Sequence, residues 1–359
     1  MKLLNRYIFL QFATSFLFAS AAFVALFTLV DMVENIDDFI DRNVGIVGIL
    51  QYYTLTIPST VQITAPVATL LASILTAGRL SASSELAALR SAGLSMRQLI
   101  LPFLTGGVII ALANFFNASV AEPTAASAKI AFKQTHLNEI RSGLSDGANL
   151  QLLEPDGRII TIGSFDPIRS IAKDVTIERF DGAHLRSRTD APVMLFEPQL
   201  KRWIMPVSSE RSFDPTSKAT NFSKGRDTLA LALSPQSLRE LYLQPEEMTL
   251  TQHYRYLTEK QQAGFPGLER ATVKLHSKAA MPLASIVVIL IGVPLSAIRQ
   301  RTGRAAEIAL ALFLGFLFLG LQRTVATMGY NGIIEPWIAA WLPLLLFLAA
   351  GLLLYRKTE

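Results

Sequence analysis

The residues of this chain that could do chemistry occur singly rather than in catalytic groups. The four histidines, His136, His184, His253 and His276, are scattered along the 359 residues. No H-E-x-x-H, G-x-S-x-G or G-x-x-x-x-G-K-[ST] motif is present, so the usual metalloprotease, serine-hydrolase and ATP-phosphate sites are missing. The absence of cysteine excludes disulfides and thiolate metal sites. We therefore expect a protein that is not an enzyme, with no catalytic residues, no metal site and no cofactor.

One ionisable residue, Arg323, lies inside an otherwise apolar stretch. An arginine at such a position is costly, which favours a functional role. Transporters driven by protons or ions place Asp, Glu or His near the middle of the membrane, and these residues are nearly absent from the apolar stretches of this chain. The energy for any transport must therefore come from a partner.

Six apolar stretches determine the architecture. Each is close to the roughly 20 residues that an α-helix needs to cross a bilayer. They form two groups of three, separated by a long polar block: Phe9–Val30, Ile57–Gly78 and Ile100–Val120, then Ala279–Ile298, Ile308–Met328 and Ala339–Leu354. The prediction is an α-helical membrane protein with one inserted domain, divided into residues 1–120, 121–265 and 266–359.

The basic residues predict the orientation. Short cytoplasmic loops collect Lys and Arg, and four segments of this chain do so. These are the N-terminus, the loops after the second and fourth spans, and the C-terminal tail (Lys2, Arg6; Arg79, Arg90, Arg97; Arg299, Arg301, Arg304; Arg356, Lys357). Both termini are then cytoplasmic and the inserted domain is extracytoplasmic. The net charge of +5 reflects this topology, and we expect no nucleic-acid partner.

The inserted block predicts a mostly β domain. Turn residues flanked by alternating apolar residues indicate hairpins, and several short strands at regular spacing indicate a sandwich, barrel or jelly roll. The predicted strands are Asn149–Glu154, Arg158–Gly163, Asp174–Phe180, His184–Arg188, Val193–Phe196, Arg202–Pro206 and Thr228–Leu233. A helical pattern follows from Glu246 to Gly264.

The loop after the second span predicts a short helix over residues 83–93. Ser83 or Ser84 can cap its start, and Gly93 can close it in the left-handed conformation. Its other notable residues are the acidic Glu85 in the first turn, Arg90 in the last, and Leu86 and Leu89 on one face. Such a helix either docks a cytoplasmic protein or lies on the lipid headgroups.

Several motifs resemble the LptF/LptG permease family of the lipopolysaccharide exporter. They are Asn5-Arg6-Tyr7-Ile8, the segment from Gly78-Arg79-Leu80 through Ser84-Glu85-Leu86 to Gly93, Leu275-His276-Ser277-Lys278 with Met281-Pro282-Leu283, Gly292-Val293-Pro294-Leu295, and Ala340-Trp341-Leu342-Pro343. The resemblance covers the whole chain. The entry to the fourth span and the Trp-Leu-Pro motif favour an LptG-like member.

The resemblance implies a function and a set of partners. The chain would be the permease subunit of an ATP-driven exporter that takes lipopolysaccharide from the outer leaflet of the bacterial inner membrane. It would pair with an LptF-like permease and a cytoplasmic LptB-like ATPase dimer. Its periplasmic β-jelly roll would pass the lipid to LptC-like and LptA-like jelly rolls, and its first and fifth spans would border a lateral cavity.

The resemblance assigns the candidate coupling residues, and position in the sequence suggests a second set that could bind lipid phosphate. Glu85 would dock into a groove of the ATPase, with Leu86, Leu89 and Arg90 on the same coupling helix. The phosphates of the lipid need cations near the outer leaflet, and the candidates are Arg323, Arg42, Lys278, Lys129 and Lys133. Ordinary snorkelling of these side chains to headgroups is the alternative.

Two other functions remain open at this stage. A mechanotransmission-type permease, in which the ATPase acts on a periplasmic partner, usually has four spans rather than six. A membrane-anchored receptor that binds through the β-domain would leave the short capped helix unexplained.

Overall fold

A computed structural model describes residues 2–137, 150–153, 157–166, 170–181, 184–198, 200, 202–213, 219–229, 245–262, 267–298 and 303–358. The chain forms two compact units. One joins Met1–Leu137 to Pro245–Glu359, and the other is Asn138–Gln244. The predicted inserted domain, residues 121–265, overlaps the first unit at both ends. Residues 121–137 and 245–265 belong to the first unit rather than to the second.

The first unit is helical. Its elements are α1 (Lys2–Asp41), α2 (Ile46–Ala82), α3 (Glu85–Ser91), α4 (Met96–Phe116), a π-helical turn (Asn117–Ala121), α5 (Glu122–His136), α6 (Leu250–Gln262), α7 (Glu269–Ile298), α8 (Arg304–Tyr330) and α9 (Pro336–Thr358). Six segments in the described part of the chain are long and apolar enough to cross a membrane: Leu3–Asp41, Ile46–Ala82, Met96–His136, Glu269–Ser296, Ala305–Tyr330 and Pro336–Thr358. The prediction of six spanning helices is confirmed.

The six helices differ in how far the unit covers them. In the most apolar window of α2 and of α7, 72% of the residues are buried, against 11% in α1 and 17% in α8. Small residues allow close packing where helices meet. A Cβ atom built at Gly315 of α8 would lie 2.5 Å from Cγ1 of Val67 on α2, so only glycine fits this crossing. The centre of the unit is therefore α2 with α7, whereas α1 and α8 leave most of their apolar surface uncovered.

The second unit contains a six-stranded antiparallel sheet. Its strands are β1 (Leu150–Leu153), β2 (Arg158–Asp166), β3 (Ile171–Asp181), β4 (His184–Glu197), β5 (Arg202–Phe213) and β6 (Ala219–Leu229). The strands pair in chain order, each with the next. Trp203 is fully buried at the centre of the apolar face, edge-on to Phe165 and Phe196 at 6.3 and 5.2 Å between ring centroids. The prediction of a mostly β block is confirmed.

The structure corrects four of the predicted strands. The segments His184–Arg188 and Val193–Phe196 are one strand, β4, rather than two. The strand that begins at Arg202 continues past Pro206 to Phe213, with a register shift near the proline. The last strand begins at Ala219, nine residues before the predicted Thr228, and residues 230–233 of its predicted range lie outside the described part of the chain.

The contacts of Asp190 account for the continuity of β4. A charged residue followed by Ala191-Pro192 favours a break, but the carboxylate of Asp190 is neutralised within the sheet. Arg188 Nε donates to its Oδ1 at 2.9 Å, and the hydroxyl of Thr176 on the neighbouring strand donates to the same oxygen at 3.1 Å. Cross-strand partners therefore stabilise a polar residue that local sequence patterns place in a turn.

Candidate functional site

The short helix between the second and third spans is present as α3. The helix ends at Gly93 in the left-handed conformation, as predicted. Gly93 has φ +86°, and the N–H of Leu94 donates to the carbonyl of Leu89 at 3.1 Å, which is the Schellman arrangement. The chain then enters α4 through a capping box, in which Ser95 and Gln98 exchange hydrogen bonds between side chain and backbone. Both features give α3 a defined exit into the third span.

The start of α3 differs from the prediction, because neither serine caps the helix through its side chain. Ser84 occupies the N-cap position with φ +59°, in the left-handed region, and makes no capping hydrogen bond. The hydroxyl of Ser83 instead lies 2.9 Å from Oε1 of Glu85 and 2.9 Å from the carbonyl of Arg79. Ser83 therefore orients the carboxylate that the sequence singles out.

The apolar face of α3 is anchored in the unit's own core. Leu86 is 4% exposed and belongs to a buried cluster with residues of α1, α2, α4 and α7, and Leu89 packs against the same cluster. At the end of the helix, Nη2 of Arg90 lies 3.3 Å from the carbonyl oxygen of Thr358, the last residue of α9. Leu86 and Leu89 hold the helix in place, while Glu85 is half-exposed and Arg90 is exposed.

Three of the five candidate cations lie on, or directly after, helices that meet in one aromatic cluster. Its residues are Phe39 of α1, Tyr52 and Tyr53 of α2, and Phe132 and Leu137 at the end of α5. Arg42 follows Phe39 by three residues and is exposed, and Lys129 and Lys133 flank Phe132 in the sequence. Nζ of Lys129 lies 4.7 Å from the centre of the Tyr52 ring, a cation–π contact. The packing of α1, α2 and α5 thus gathers Arg42, Lys129 and Lys133 in one region.

The other two candidate cations have opposite environments. Arg323 is exposed on the surface of α8, among apolar residues. Lys278 of α7 is 7% exposed, and its Nζ donates a short hydrogen bond to the carbonyl of Met248, just before α6. Lys278 therefore joins two segments of its own chain.

Lys278 belongs to a group of charges at the start of α7. Glu122, the first residue of α5, faces Lys278 and Lys274, and Glu246 faces the same two lysines. Oε1 of Glu246 accepts from Nζ of Lys274 and from Nη2 of Arg270, each at 3.1 Å. We call Glu122, Glu246, Lys274 and Lys278 the junction cluster. Opposite charges drawn from three segments compensate one another there, as buried ions require.

His253 of α6 lies beside the junction cluster. The residue is fully buried, and burial lowers the pKa of its imidazole to about 4, with the charge of Lys278 acting in the same direction. Burial opposes the ionised form of Glu246, but Lys274 and Arg270 outweigh it and hold the pKa of that carboxyl below its usual range. At neutral pH the histidine is therefore neutral and the carboxylate is ionised.

Sequence reasoning singled out Lys278 of this cluster but not its partners. Glu122 ends an apolar run just before Pro123, and Glu246 precedes a helix start, so both match ordinary helix-boundary residues. A usable signal was the presence of acidic residues at both edges of the inserted block, facing lysines at the entry to the fourth span. No group of three or more metal-binding side chains occurs within the described ranges.

Comparison with known proteins gives a consistent result. The family described as "Lipopolysaccharide export system permease LptF/LptG" matches residues 6–357. Two relatives carry the name lipopolysaccharide export system permease protein LptG, one from Escherichia coli strain K12 and one from Escherichia coli O6:H1 strain CFT073. Each is 22% identical over 367 residues, which cover 99% of this chain and 98% of the relative. With six membrane-spanning helices and a separate β unit, the chain is a multi-pass inner-membrane protein that belongs to the LptF/LptG permease family of the lipopolysaccharide export system.

Proposed function

We propose that this chain is an LptG-like permease subunit that extracts lipopolysaccharide from the outer leaflet of the inner membrane. ATP hydrolysed by a separate LptB-like dimer would supply the work. The observation that carries the proposal is the family match, which extends over residues 6–357 and so includes the helices and the β block together. An LptF-like permease would complete the membrane part of the exporter.

The distribution of basic residues supports the orientation. Both termini and α3 would lie in the cytoplasm, and the β unit would lie in the periplasm. In this orientation α3 is on the side where ATP is available, and the junction cluster is at the opposite end of α4. The helical unit would be the membrane body, with residues 138–244 as the periplasmic domain.

The attachment of α3 supports a role in coupling. Because Leu86 is buried in the cluster that includes residues of α1, α2, α4 and α7, a displacement of α3 would be transmitted to four helices at once. Glu85 keeps part of its carboxylate accessible beside Ser83, which suits a contact with a cationic or hydrogen-bond-donating groove of the ATPase. We propose that Glu85 makes the contact and that Leu86 and Leu89 transmit the movement, with Arg90 joining α3 to α9.

The uncovered surfaces of α1 and α8 support a route for the lipid. Each acyl methylene exposed to water costs about 0.8 kcal/mol, so a lipid with several chains needs a continuous apolar path. We propose that α1 and α8 border this path and that Arg323 binds a lipid phosphate beside it. Arg42, Lys129 and Lys133 would form a second group of phosphate contacts. Lys278 is a weaker candidate because its amine already binds the carbonyl of Met248.

The β unit would receive the lipid. We propose that its sheet is part of a β-jelly roll whose apolar face, around Trp203, continues the path towards LptC-like and LptA-like jelly rolls. Such a transfer leaves no stage at which the acyl chains are in bulk water.

The test is a co-purification with an activity measurement. The tagged full-length chain is isolated in mild detergent, its accompanying proteins and lipids are identified by mass spectrometry, and ATP hydrolysis is measured with and without added lipopolysaccharide. We expect an ATP-binding-cassette subunit in the preparation and a rate that changes with lipopolysaccharide. Recovery of the chain without an ATPase or lipid would contradict the proposal and would favour a receptor that binds through its β-domain.

A further inference from the structure

The end of α2 meets α8 at a glycine, Gly78. This residue is buried, and a Cβ atom built on it would lie 2.6 Å from Cδ of Glu307, in the first turn of α8. The carboxyl group of Glu307 therefore lies directly against the backbone of α2, and any larger residue at position 78 would displace it.

The next residue, Arg79, makes the corresponding contact with α1. The amide oxygen of Gln11, in the orientation that satisfies both groups, accepts hydrogen bonds from Nε and Nη1 of Arg79, each at 3.1 Å. About one turn earlier along α2, the hydroxyl of Thr76 donates to the hydroxyl of Ser15 at 3.3 Å. Polar contacts at two successive turns thus join α1 to α2.

The same stretch of α2 leads directly to the carboxylate of Glu85. The hydroxyl of Ser83 lies 2.9 Å from the carbonyl of Arg79 and 2.9 Å from Oε1 of Glu85. A chain of contacts therefore runs from Glu85 through Ser83 to Arg79 and so to α1. The adjoining residue, Gly78, extends it to α8.

The two helices reached by these contacts are the least covered of the six. Only 11% of the most apolar window of α1 is buried, and 17% of that of α8. A helix with few packed neighbours owes a larger share of its position to each contact that it does make. Polar contacts near the ends of α1 and α8 are therefore well placed to set the positions of these helices.

We propose that Gly78 and Arg79 are positioning residues, which transmit the docking of the ATPase at Glu85 to α1 and α8. We call Gly78, Arg79, Gln11 and Glu307 the relay. Because α1 and α8 border a lipid path only in the proposed function, the relay rests on that function and adds how the ATPase acts on the path. The relay moves as one body, so a rigid link should be able to replace its contacts.

The first test is Gly78→Ala, which displaces the carboxyl group of Glu307. The full-length chain, with the ATPase and permease subunits that co-purify, is placed in nanodiscs with photo-crosslinkable lipopolysaccharide. ATP hydrolysis and crosslinking of the lipid to the β unit are measured together. We expect about fivefold less lipid transferred per ATP hydrolysed, as for the loss of one polar contact, and unchanged affinity for the ATPase.

Thermal unfolding distinguishes this role from a structural one. Alanine is more favourable than glycine inside a helix, and the displaced group is the end of a flexible side chain, so the unfolding temperature of Gly78→Ala should not fall. The matched control is Gly320→Ala, which adds the same methyl group to α8 at a position with nothing within 4 Å. The control should transfer lipid as the wild type does.

A double-mutant cycle tests whether the two residues act together. Glu307→Ala should lower the transfer per ATP as Gly78→Ala does, and the double variant should lose no more than either single variant. Arg79→Lys keeps the charge but loses the paired donors to Gln11, so it should lower the same ratio about fivefold.

A cysteine pair tests the contact itself, without ATP or lipopolysaccharide. The chain contains no cysteine, and Cβ atoms at positions 78 and 307 would lie within about 5 Å of each other, because Cδ of Glu307 is two bonds from its Cβ. A disulfide needs about 3.5–4.5 Å. The Gly78→Cys, Glu307→Cys variant should therefore form a disulfide on oxidation. Its reduced form should transfer lipid as poorly as Gly78→Ala, and oxidation should restore the transfer.

Three results would overturn the relay, and they are distinguishable. Absence of the disulfide would mean that α2 and α8 do not meet at these residues. Wild-type transfer per ATP in Gly78→Ala, or an oxidised cysteine pair that transfers no better than the reduced one, would mean that the contact transmits nothing. A wild-type chain that forms no complex with an ATPase and transfers no lipid would reject the proposed function, and the relay with it, even where the disulfide forms.

Discussion

Two groups of charged residues in the helical unit, at opposite ends of α4, are treated differently by the fold. At one end, on α3, Glu85 is half-exposed and Arg90 is exposed. At the other end the junction cluster encloses Lys278, which is 7% exposed and bound to the carbonyl of Met248. At the first end the carboxylate of Glu85 is accessible to a partner. Charges at the second are used within the chain, to join α5, α6 and α7.

The comparison indicates how to rank charged residues in a membrane protein of this kind. A buried charge with compensating partners chiefly stabilises the fold, and its removal leaves those partners uncompensated. A half-exposed charge contributes little to stability, so its removal should chiefly weaken binding to a partner. Stability and binding measurements on the two groups should therefore give opposite results.

The largest effect should come from Lys278→Met. This change leaves Glu122 and Glu246 facing one lysine fewer and removes the donor to Met248, which should lower the free energy of unfolding by about 3–5 kcal/mol. Thermal unfolding of the purified chain in detergent measures the loss. Lys274→Met is the matched control, and because that side chain is 26% exposed its effect should be about 1 kcal/mol. A stable Lys278→Met variant that no longer crosslinks to lipopolysaccharide would instead place Lys278 among the lipid contacts.

Lowering the pH should destabilise the fold through His253, which lies beside the junction cluster. The folded pKa of His253 is about 4, below the ordinary 6.5, so the unfolded chain binds the extra proton between these values and stability falls as the pH falls from 6.5 to 4. The charged groups around the ring are Lys278, Lys274 and Glu246. Because one pKa unit corresponds to about 1.4 kcal/mol and His253 is fully buried, the loss between neutral pH and pH 4 should be about 3 kcal/mol.

Unfolding temperatures measured across this pH range check the effect. His253→Leu should abolish most of the slope between pH 6.5 and 4, whereas the same change at the exposed His184 should retain it. The lowered pKa of Glu246 produces a separate loss of stability below about pH 4.5. An unchanged slope in His253→Leu would assign the pH dependence to other groups.

At the α3 end, Glu85→Ala should affect binding rather than stability. Loss of one charge-assisted contact should weaken association with the ATPase about tenfold, which equals about 1.4 kcal/mol, with little change in unfolding temperature. The measurement is the affinity of the purified chain for the ATPase subunit. Glu335→Ala removes the same charge from an exposed loop between α8 and α9 and should bind normally. Equal binding by both variants would reject the role of Glu85.

The smallest effect should come from Arg323→Glu. Because Arg323 is exposed, reversing its charge should leave the fold intact and reduce crosslinking to lipopolysaccharide about fivefold, as expected for loss of one charged contact near water. Thr324→Glu is the control, since it adds a negative charge one position away and keeps the arginine. If both variants reduce crosslinking equally, the negative charge itself repels the lipid and Arg323 has no specific contact.

Much of the architecture could be predicted from local patterns. The six spans are long apolar runs, and a bilayer admits such runs only as helices with every backbone hydrogen bond made internally. Gly93 closes α3 because a left-handed residue is needed there and glycine adopts it without strain. The hairpins of the β block also follow from turn residues between alternating strands.

The failures occurred where distant residues override a local preference. Asp190 and Pro206 favour breaks, yet β4 and β5 continue through them because cross-strand partners and a register shift accommodate them. Ser84 is a good helix cap by type, but the chain turns through the left-handed region there and Ser83 binds Glu85 instead. Neither outcome can be read from a window of a few residues.

By itself, the sequence determined the number of spans, the short helix between the second and third, and the position of the β block, because hydropathy, turn residues and helix ends act over a few neighbouring residues. The tertiary structure alone decided which charges are buried and which are accessible. Lys278 and Arg323 are similar cations in similar stretches, and only the approach of Met248, Glu122 and Glu246 from other segments makes the first internal. Burial of a charge depends on what packs against it, and those contacts join residues far apart in the chain.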